Sequence, residues 1–366
     1  MLKELQDVSN LFTIDKYANS FGRLIKITAK EKLVHADNIS LFNNNFLYSL
    51  RVNINELHNV VYMEMDPLGK IVRVIKETEG ILPKVFIAPN NTIWCCILDA
   101  IDERELVIPL LNRHVLGKVQ KYRSFVGDWI GNSNNTVLFY NRNLFGDKPD
   151  QLLKLEFMGD SIIKREIVKI PNPPNNNALI EQKNIQLIGW DKGRVLHRVV
   201  DLKGHIIQER YLELDDMDDV VGVRLSFKEN STLIGFKENM LFIFTIDSDG
   251  SVIKRKLIEL EESAGIFYSI ITVKLINSES FLTNFVGEKF NGWALISNDS
   301  IVECYMSNEG EPYYKDIISN TVIELPELDE NKLIVSGLNV NKGNTYQVAI
   351  YNKHEERELF ILSRNF

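Results

Sequence analysis

Short polar turns followed by apolar runs recur along this chain at a nearly constant spacing. Examples are NNNFLYSL (43–50), NNTIWCCIL (90–98) and NNTVLFY (134–140). The first strongly apolar residues after such turns are Phe46, Ile93, Val137, Ile185, Leu233, Phe281 and Leu333, separated by 47, 44, 48, 48, 48 and 52 positions. The runs are short and rich in β-branched and aromatic residues, which predicts strands rather than helices.

A second repeated signal lies between the copies of the first. It is a tight turn, often with Gly, followed by an alternating strand, as in PLGKIVRVIKE (67–77), LKGHIIQERYL (202–212) and SDGSVIKRKLI (248–258). Gly at such turns supplies the positive φ that tight hairpins often need. Two more copies lie near the ends of the chain, SFGRLIKITAKE (20–31) and HEERELFIL (354–362).

Together the two signals predict four strands in about 48 residues, repeated seven times, which is typical of a β-propeller. The chain resembles the seven-bladed β-propeller superfamily from about Lys32 to Arg364. It carries no Gly-His…Trp-Asp pattern, no paired-glycine kelch motif and no Asp-box, so the resemblance is to an architecture. An irregular all-β sandwich, eight blades, or six blades with an irregular segment are the alternatives.

The predicted fold class is therefore all-β, a β-propeller of seven four-stranded blades whose ring is closed by terminal strands. We expect one domain over residues 1–366, with 1–31 as an N-terminal segment holding a closing strand or hairpin and 32–364 as the blades. The copies at 20–31 and 354–362 both look like the outermost strand of a blade. One of them is expected to complete the last blade beside strands from the other terminus.

Charge and composition narrow the function classes. The net charge is −8 and the sequence pI is about 5.5, which argues against nucleic acid or an anionic membrane as the main partner. No apolar run approaches the roughly 20 residues that span a bilayer, and MLKELQDVSNLF lacks the features of a secretory signal. Three cysteines form no disulfide framework. We expect a soluble cytoplasmic protein without membrane insertion.

Two of these cysteines are adjacent, in NNTIWCCILDA (90–100). Read as a strand, this segment points Cys95 and Cys96 to opposite sides, and both sides are apolar. Adjacent Cα atoms are closer together than a disulfide normally allows. The pair is interpreted as two buried thiols of an inner strand rather than a redox or metal site.

The predicted loops differ between the two ends of the blades. One end has tight turns, whereas the other has the long connections 77–83, 141–150, 169–177, 212–220 and 307–320. Long loops on a rigid scaffold are where binding sites usually lie. The loop-rich, partly acidic end is therefore the predicted binding face.

Within that face, the sequence singles out an acidic cluster and three aromatic residues as binding candidates: Asp215, Asp216, Asp218, Asp219, Tyr313, Tyr314 and Phe145. The aspartates could bind Ca²⁺, but the spacing lacks the glycine and distal glutamate of a calcium loop, so a solvated acidic loop is favoured. The aromatic residues could contact a partner or anchor their loops on the rim. His197 and His205 flank one hairpin, without further ligands for a metal. No metal and no cofactor are expected.

The sequence favours a non-catalytic interaction or scaffold module that binds a protein or peptide partner, since no motif for catalysis is recognisable. The alternative is a hydrolase or lyase acting on a carbohydrate or small substrate at the central opening of the propeller. A convergent cluster of titratable residues from three or more blades would favour that enzyme. A third possibility is a structural subunit of a larger assembly.

Overall fold

The fold is taken from a computed structural model, which describes residues 3–365 except 6, 8, 19–20, 55–56, 79, 100–103, 110–119, 124–126, 142–148, 171–176, 182–183, 192–193, 213, 215–218, 226–230, 248–250, 260–266, 278, 309–310, 327–332 and 353–355. Only the backbone is described at 3–5, 54, 57–58, 76–78, 80–83, 96–99, 104–109, 120–123, 177–181, 189–191, 219–225, 231 and 267–271. These ranges contain strands and turns but no helix, and thus no helix of the length and apolarity that crosses a bilayer.

In chain order the strands are β1 Lys3–Leu5, β2 Phe12–Ala18, β3 Arg23–Ala29, β4 Lys32–Ser40, β5 Phe46–Ile54, β6 Leu57–Met65, β7 Ile71–Thr78, β8 Gly80–Ile87, β9 Ile93–Asp99, β10 Arg104–Pro109, β11 Gln120–Arg123, β12 Asp128–Ser133, β13 Thr136–Asn141, β14 Asp150–Met158, β15 Ser161–Ile170, β16 Asn177–Glu181, β17 Asn184–Asp191, β18 Arg194–Asp201, β19 Ile206–Leu212, β20 Asp219–Leu225, β21 Ser231–Lys237, β22 Met240–Ile246, β23 Val252–Glu259, β24 Phe267–Leu275, β25 Ser280–Gly287, β26 Phe290–Ser297, β27 Ser300–Asn308, β28 Tyr313–Asp316, β29 Val322–Glu324, β30 Leu333–Val340, β31 Thr345–Asn352 and β32 Glu358–Asn365.

Seven sheets contain all of these strands. Sheet 1 is β4–β7 with β1 added, sheets 2 to 5 are β8–β11, β12–β15, β16–β19 and β20–β23, sheet 6 is β24–β29, and sheet 7 is β30–β32 with β3 and β2. The all-β, β-propeller class is confirmed. The number of seven four-stranded blades stays a prediction. Three of the seven sheets have more than four strands, and for sheet 2 no residue-by-residue strand register is described.

Packing divides the chain into two compact units. Unit 1 comprises Met1–Val85, Ile97–Arg104 and Leu260–Phe366, and unit 2 comprises Phe86–Cys96 and Glu105–Glu259. Sheets 1, 6 and 7 lie in unit 1, and sheets 3, 4 and 5 lie in unit 2. The expectation of a single domain over 1–366 stays a prediction.

Sheet 7 is built from both ends of the chain. β32 pairs antiparallel with β3 from Arg23↔Ser363 to Thr28↔Glu358, and β2 pairs with the other edge of β3. The prediction that strands from the two termini share a sheet is confirmed. Counted from β30, the segment 354–362 contributes the third strand of this sheet (β32) and the segment 20–31 the fourth (β3). Neither segment is the outermost strand, because β2 continues the sheet beyond β3.

The recurring Asn and Gly turns have one backbone geometry. In Leu41–Asn45, Asp66–Lys70, Ala88–Thr92 and Asp201–His205, the first N–H donates to the fifth C=O and the fourth N–H donates to the first C=O, at 2.8–3.1 Å. The fourth residues are Asn44, Gly69, Asn91 and Gly204, with φ of 64°, 78°, 66° and 88°. Asn and Gly tolerate this left-handed conformation best, which is why the repeat shows these two residues.

Five outer strands share a bulge that breaks the predicted alternation. One aliphatic residue has no partner on the neighbouring strand in each of β7, β15, β19, β23 and β27: Val72, Ile163, Ile207, Ile253 and Val302. Each of these side chains is 48–56% exposed. A bulge inserts one extra residue into a strand, which explains why two aliphatic residues stand together after each turn, as in KIVR and SIIK.

Inner strands are buried on both sides, as expected of strands packed between neighbouring sheets. On β9, Ile93, Trp94 and Cys95 are all buried, which confirms the prediction for the described part of NNTIWCCILDA. The Trp94 ring lies edge-to-face with Phe157, at 5.2 Å between centroids. Cys95 and Cys304 are buried, and the side chain of Cys96 lies outside the described residues.

Candidate functional site

Most of the predicted binding residues lie outside the described part of the chain. Asp215, Asp216, Asp218 and Phe145 are among the residues left out of the description, and Asp219 is described only as the first backbone position of β20, paired with Phe236. Their role in binding stays a prediction. The described candidates are Tyr313 and Tyr314.

Within 307–320, where the sequence predicts a loop, the described residues include a strand, β28. β28 and β29 make a two-stranded hairpin that extends sheet 6 beyond β27, through the pairs Tyr305↔Asp316 and Met306↔Lys315. The Tyr314 side chain is 0% exposed, which agrees with the alternative that this residue anchors its loop, and its role in binding stays a prediction. Tyr313 is partly exposed and lies opposite Glu324. Tyr314 therefore anchors the hairpin, and a role of Tyr313 in binding stays a prediction.

Asn291 on β26 connects this hairpin to the neighbouring sheet 7. Its Oδ1 accepts hydrogen bonds from the Tyr314 hydroxyl at 2.7 Å and from the Val335 backbone N–H at 2.9 Å, and its Nδ2 donates to the Leu333 carbonyl. The Tyr314 ring also packs on Trp293, at 4.7 Å between centroids. Burial raises the pKa of Tyr314 strongly, so the hydroxyl keeps its proton and remains a donor. The hairpin is thus attached through a buried polar contact.

Asp316 holds the turn between β28 and β29. Its carboxylate accepts hydrogen bonds from the backbone N–H groups of Cys304, Ile318 and Ser319 at 3.0–3.3 Å. Multiple backbone donors to one buried carboxylate fix the conformation of the turn. The hairpin still leaves Ile318 and Val322 48% and 45% exposed. The hairpin thus combines buried polar anchors with exposed aliphatic side chains.

A second polar cluster lies on the inner strands of unit 1. His35 and Asp37 flank a bulge in β4, and Ser336 is the bulged residue of β30. The His35 Nδ1–H donates to the Ser336 carbonyl at 3.2 Å. The Asp37 carboxylate accepts from the backbone N–H groups of Asn38 at 2.8 Å and Val85 at 3.0 Å. Bulges re-aim side chains and release backbone groups from the ladder, which is how these residues meet.

Burial controls the charge state of this cluster. It lowers the pKa of His35 to about 4 and raises the pKa of Asp37, while the nearby Lys274 ammonium from β24 lowers both. His35 is therefore neutral near pH 7, with its lone pair on Nε2. That atom and Asn38 Nδ2 are buried and have no hydrogen-bond partner in the described chain. Gly337 makes room for the imidazole, since a Cβ there would lie 2.4 Å from His35 Cε1.

His197 and His205 do not come together. The buried His197 ring lies between Arg210, whose Nε–H donates to Nδ1 at 3.0 Å, and Gln186, whose Oε1 accepts from Nε2 at 3.0 Å. The exposed His205 ring instead donates from Nδ1 to the Asp201 carboxylate at 3.0 Å. No group of three or more His, Cys, Asp or Glu side chains is placed to hold a metal ion among the residues the structure describes.

Sequence reasoning missed both the hairpin β28–β29 and the cluster around His35. The hairpin strands are four and three residues long, too short for a clear period of hydrophobicity. For the cluster, the segment KLVHADNIS (32–40) does not predict the contacts of His35, because the bulge at Ala36 interrupts its alternation of apolar and polar residues. In the outer strands, by contrast, the doubled aliphatic residue after each turn is a usable signal for a bulge.

Comparison with family models finds no match to this chain, and comparison with curated proteins finds none either. Among solved structures, the chain is similar to prolyl oligopeptidase B from Galerina marginata bound to a 35mer hydrolysis and macrocyclization substrate, with a TM-score of 0.51 and 10% identity. That match covers 94% of this chain and 56% of the other, so this chain spans about half of that enzyme's length.

Two further solved structures are similar over nearly their whole length. The Dos1 propeller has a TM-score of 0.49 and 7% identity, covering 96% of this chain and 95% of that one. The AfRom2 CNH domain has a TM-score of 0.49 and 10% identity, covering 97% and 99%. At such identities the similarity concerns the fold, since one fold hosts many functions.

Proposed function

We propose that this chain is a non-catalytic interaction module that binds a protein or peptide partner through its loop-rich face. The observation that carries the proposal is the hairpin β28–β29, an insertion that is held rigidly and yet exposes Ile318 and Val322. A preformed element loses little conformational entropy on binding. Exposed aliphatic side chains on it, beside the partly exposed Tyr313, supply the apolar centre that recognition surfaces use.

The acidic residues Asp215, Asp216, Asp218 and Asp219, together with Phe145, complete the proposal as charged and aromatic binding residues of unit 2. Acidic residues favour a partner with basic residues, through faster association and through specificity. The proposed setting is the cytoplasm, in keeping with the cysteine content.

The test substitutes exposed positions and leaves the buried anchors in place. Deletion of 307–320 would also remove Tyr314 and Asp316, so loss of binding could reflect a damaged sheet. We instead propose Ile318→Asp with Val322→Lys, compared with the matched control Met158→Lys, a 68% exposed position at a turn of unit 2. In purification from the native host with quantitative mass spectrometry, the double variant is expected to lose a partner that the control retains.

A second variant, with Asp215, Asp216, Asp218 and Asp219 changed to Lys, tests the acidic part. It is expected to lose the same partner, or to bind it more weakly at low salt. The proposal fails if both variants recover the same partners as the wild-type chain in the same amounts. Circular dichroism of each variant shows that the fold is retained.

The alternative of a hydrolase or lyase is favoured by one observation. His35 and Asp37 of sheet 1, Lys274 of sheet 6 and Ser336 of sheet 7 bring titratable and polar groups from three sheets of unit 1 together. A neutral imidazole beside a buried carboxyl is a pair that can accept and donate protons. Hydrolysis of p-nitrophenyl glycosides and esters by the wild-type chain, with loss in Asp37→Asn, would support this candidate, and no hydrolysis would eliminate it for those substrates.

A further inference from the structure

In unit 1 the fourth strand of each sheet has a further strand on its outer side, whereas in the described part of unit 2 sheets 3, 4 and 5 end at their fourth strand. In unit 1, β1 pairs with β7, β28 pairs with β27, and β2 pairs with β3. In the described part of unit 2, β15, β19 and β23 are the last strands of their sheets. An edge strand leaves a row of backbone N–H and C=O groups without partners inside the sheet.

Two sheets of unit 1 show where an added strand pairs with the fourth strand. β1 pairs with Val74–Lys76, two to four residues after the bulged Val72, and β28 pairs with Tyr305 and Met306, three and four residues after the bulged Val302. Both additions are antiparallel. The bulge thus sets the end of the stretch that accepts another strand. In β23, where the bulged residue is Ile253, the corresponding stretch is Arg255–Leu257.

β23 is a basic strand, although the chain has a net charge of −8. Lys254, Arg255 and Lys256 follow one another, and Glu259 is the single carboxylate of the strand. Lys254 and Lys256 form no ion pair within the part of the chain that the structure describes. The exposed aliphatic residues Ile253 and Leu257, 55% and 46% exposed, stand on either side of the cations.

The last strands of sheets 3 and 4 are less suited to an acidic strand. β15 also has three cations and one carboxylate, but Glu166 lies 3.5 Å from the Lys164 ammonium and 3.0 Å from that of Lys154, so ion pairs already engage this strand. On β19, Glu209 and Arg210 leave the strand without net charge, and Glu209 pairs with Arg198. Of these three strands, β23 is therefore the basic one whose lysines form no ion pair within the described residues.

We propose that the edge of β23 binds an extended segment of a partner protein as a fifth, antiparallel strand of sheet 5, and that this segment alternates acidic and apolar residues. Past the bulge, Lys254 and Lys256 lie on one face of the strand and Leu257 on the other. Acidic side chains of the incoming strand face the two lysines, and apolar ones cover Leu257. Main-chain hydrogen bonds supply affinity, and the alternating side chains supply specificity.

The probe is a synthetic ten-residue peptide of alternating Glu and Val with blocked ends, titrated into the full chain and followed by fluorescence anisotropy. A second peptide carries Lys in place of Glu, and a third is the Glu–Val peptide with alternate backbone nitrogens methylated. The first is expected to bind with Kd below about 1 mM and more weakly as salt is raised. The Lys–Val and methylated peptides are expected not to bind.

Location is tested with variants and hydrogen exchange. Lys254→Glu with Lys256→Glu is expected to weaken binding about tenfold, whereas the matched pair Lys164→Glu with Lys169→Glu on β15 changes it little. Bound peptide is expected to slow amide exchange in 252–259. The Ile318→Asp, Val322→Lys variant is expected to bind the peptide normally, which separates this site from the hairpin.

Three results would overturn the proposal. One is the absence of binding by the Glu–Val peptide up to about 1 mM. Another is equal binding by the methylated peptide, which would indicate charge attraction without strand pairing. The third is exchange protection outside 252–259, or equal weakening by the two lysine pairs, which would place the peptide elsewhere.

Discussion

Protonation of His197 is expected to destabilise unit 2 at mildly acidic pH. The neutral ring accepts a hydrogen bond at Nδ1 from Arg210 and donates one from Nε2 to Gln186, both at 3.0 Å. A proton on Nδ1 would remove the first bond and place two positive charges together. Burial, with the Arg210 guanidinium, lowers the pKa of His197 to about 4, from 6.5 in an exposed histidine.

The direction and the size of the stability change follow from the difference between these two pKa values. Between pH 6.5 and 4 the unfolded chain holds a proton on this ring that the folded chain lacks, so stability falls as the pH falls through this window. The full effect below pH 4 is about 3 kcal/mol. At pH 5 the expected loss relative to pH 7.5 is about 2 kcal/mol. His35, with a pKa of about 4, adds a similar loss in unit 1.

The assay is urea unfolding at pH 7.5, 6.0 and 5.0, followed by tryptophan fluorescence, for the wild-type chain and His197→Gln. A glutamine can still accept from Arg210, so the variant is expected to be folded. Its loss of stability between pH 7.5 and 5.0 is expected to be about 2 kcal/mol smaller than that of the wild type. His205→Gln is the matched control, since that ring lies in solvent in the same sheet. An unchanged pH dependence in His197→Gln would refute the reasoning.

The remaining predictions concern packing and turns. Asn291→Ala leaves the Val335 N–H, the Leu333 carbonyl and the Tyr314 hydroxyl without their partner, and is expected to lower the free energy of unfolding by about 3 kcal/mol or more. Tyr314→Phe is expected to lower it by about 1 kcal/mol. Equal losses of the two variants in urea unfolding would contradict this. Gly337→Ala is expected to destabilise unit 1 by about 1–3 kcal/mol, because the added Cβ displaces His35. The double variant with His35→Ala is expected to lose less stability than the sum of the two single variants. Additive losses would contradict a contact between Gly337 and His35. At the left-handed position Asn91, Asn91→Ala is expected to lower the free energy of unfolding by about 1 kcal/mol and Asn91→Gly by about a few tenths of that. A larger loss for Asn91→Gly than for Asn91→Ala in urea unfolding would contradict this explanation.

The repeat could be predicted because its signals are local. A left-handed φ at Asn44, Gly69, Asn91 and Gly204 admits few residue types, so the turn geometry is visible in the sequence itself. Buried inner strands such as β13 likewise need runs of β-branched and aromatic residues. These two requirements are enough to predict strands, turns and the propeller class.

The hairpin β28–β29 and the cluster around His35 depend on long-range contacts and could not be predicted. Tyr314 contacts Asn291 and Trp293 inside a buried cluster, and both are more than twenty residues away in sequence. In the same way, His35 contacts Ser336, which is 301 residues away. The sequence alone shows an aromatic residue in a polar segment, which is compatible equally with a contact surface and with an anchor.

In such a chain, binding residues are least constrained by the fold where the structure departs from the four-stranded repeat. A regular strand that packs between two sheets is constrained on both faces, so it can accept few substitutions for binding. The hairpin β28–β29 is free of that constraint on its outer side, and its buried side is held by Asn291 and Asp316 rather than by the repeat. The edge of β23 has the same freedom, because no further strand pairs with its outer side within the described chain. Substitutions at Ile318, Val322, Lys254 and Lys256 can therefore change binding without changing the fold, whereas substitutions at Asn291 or Tyr314 change both.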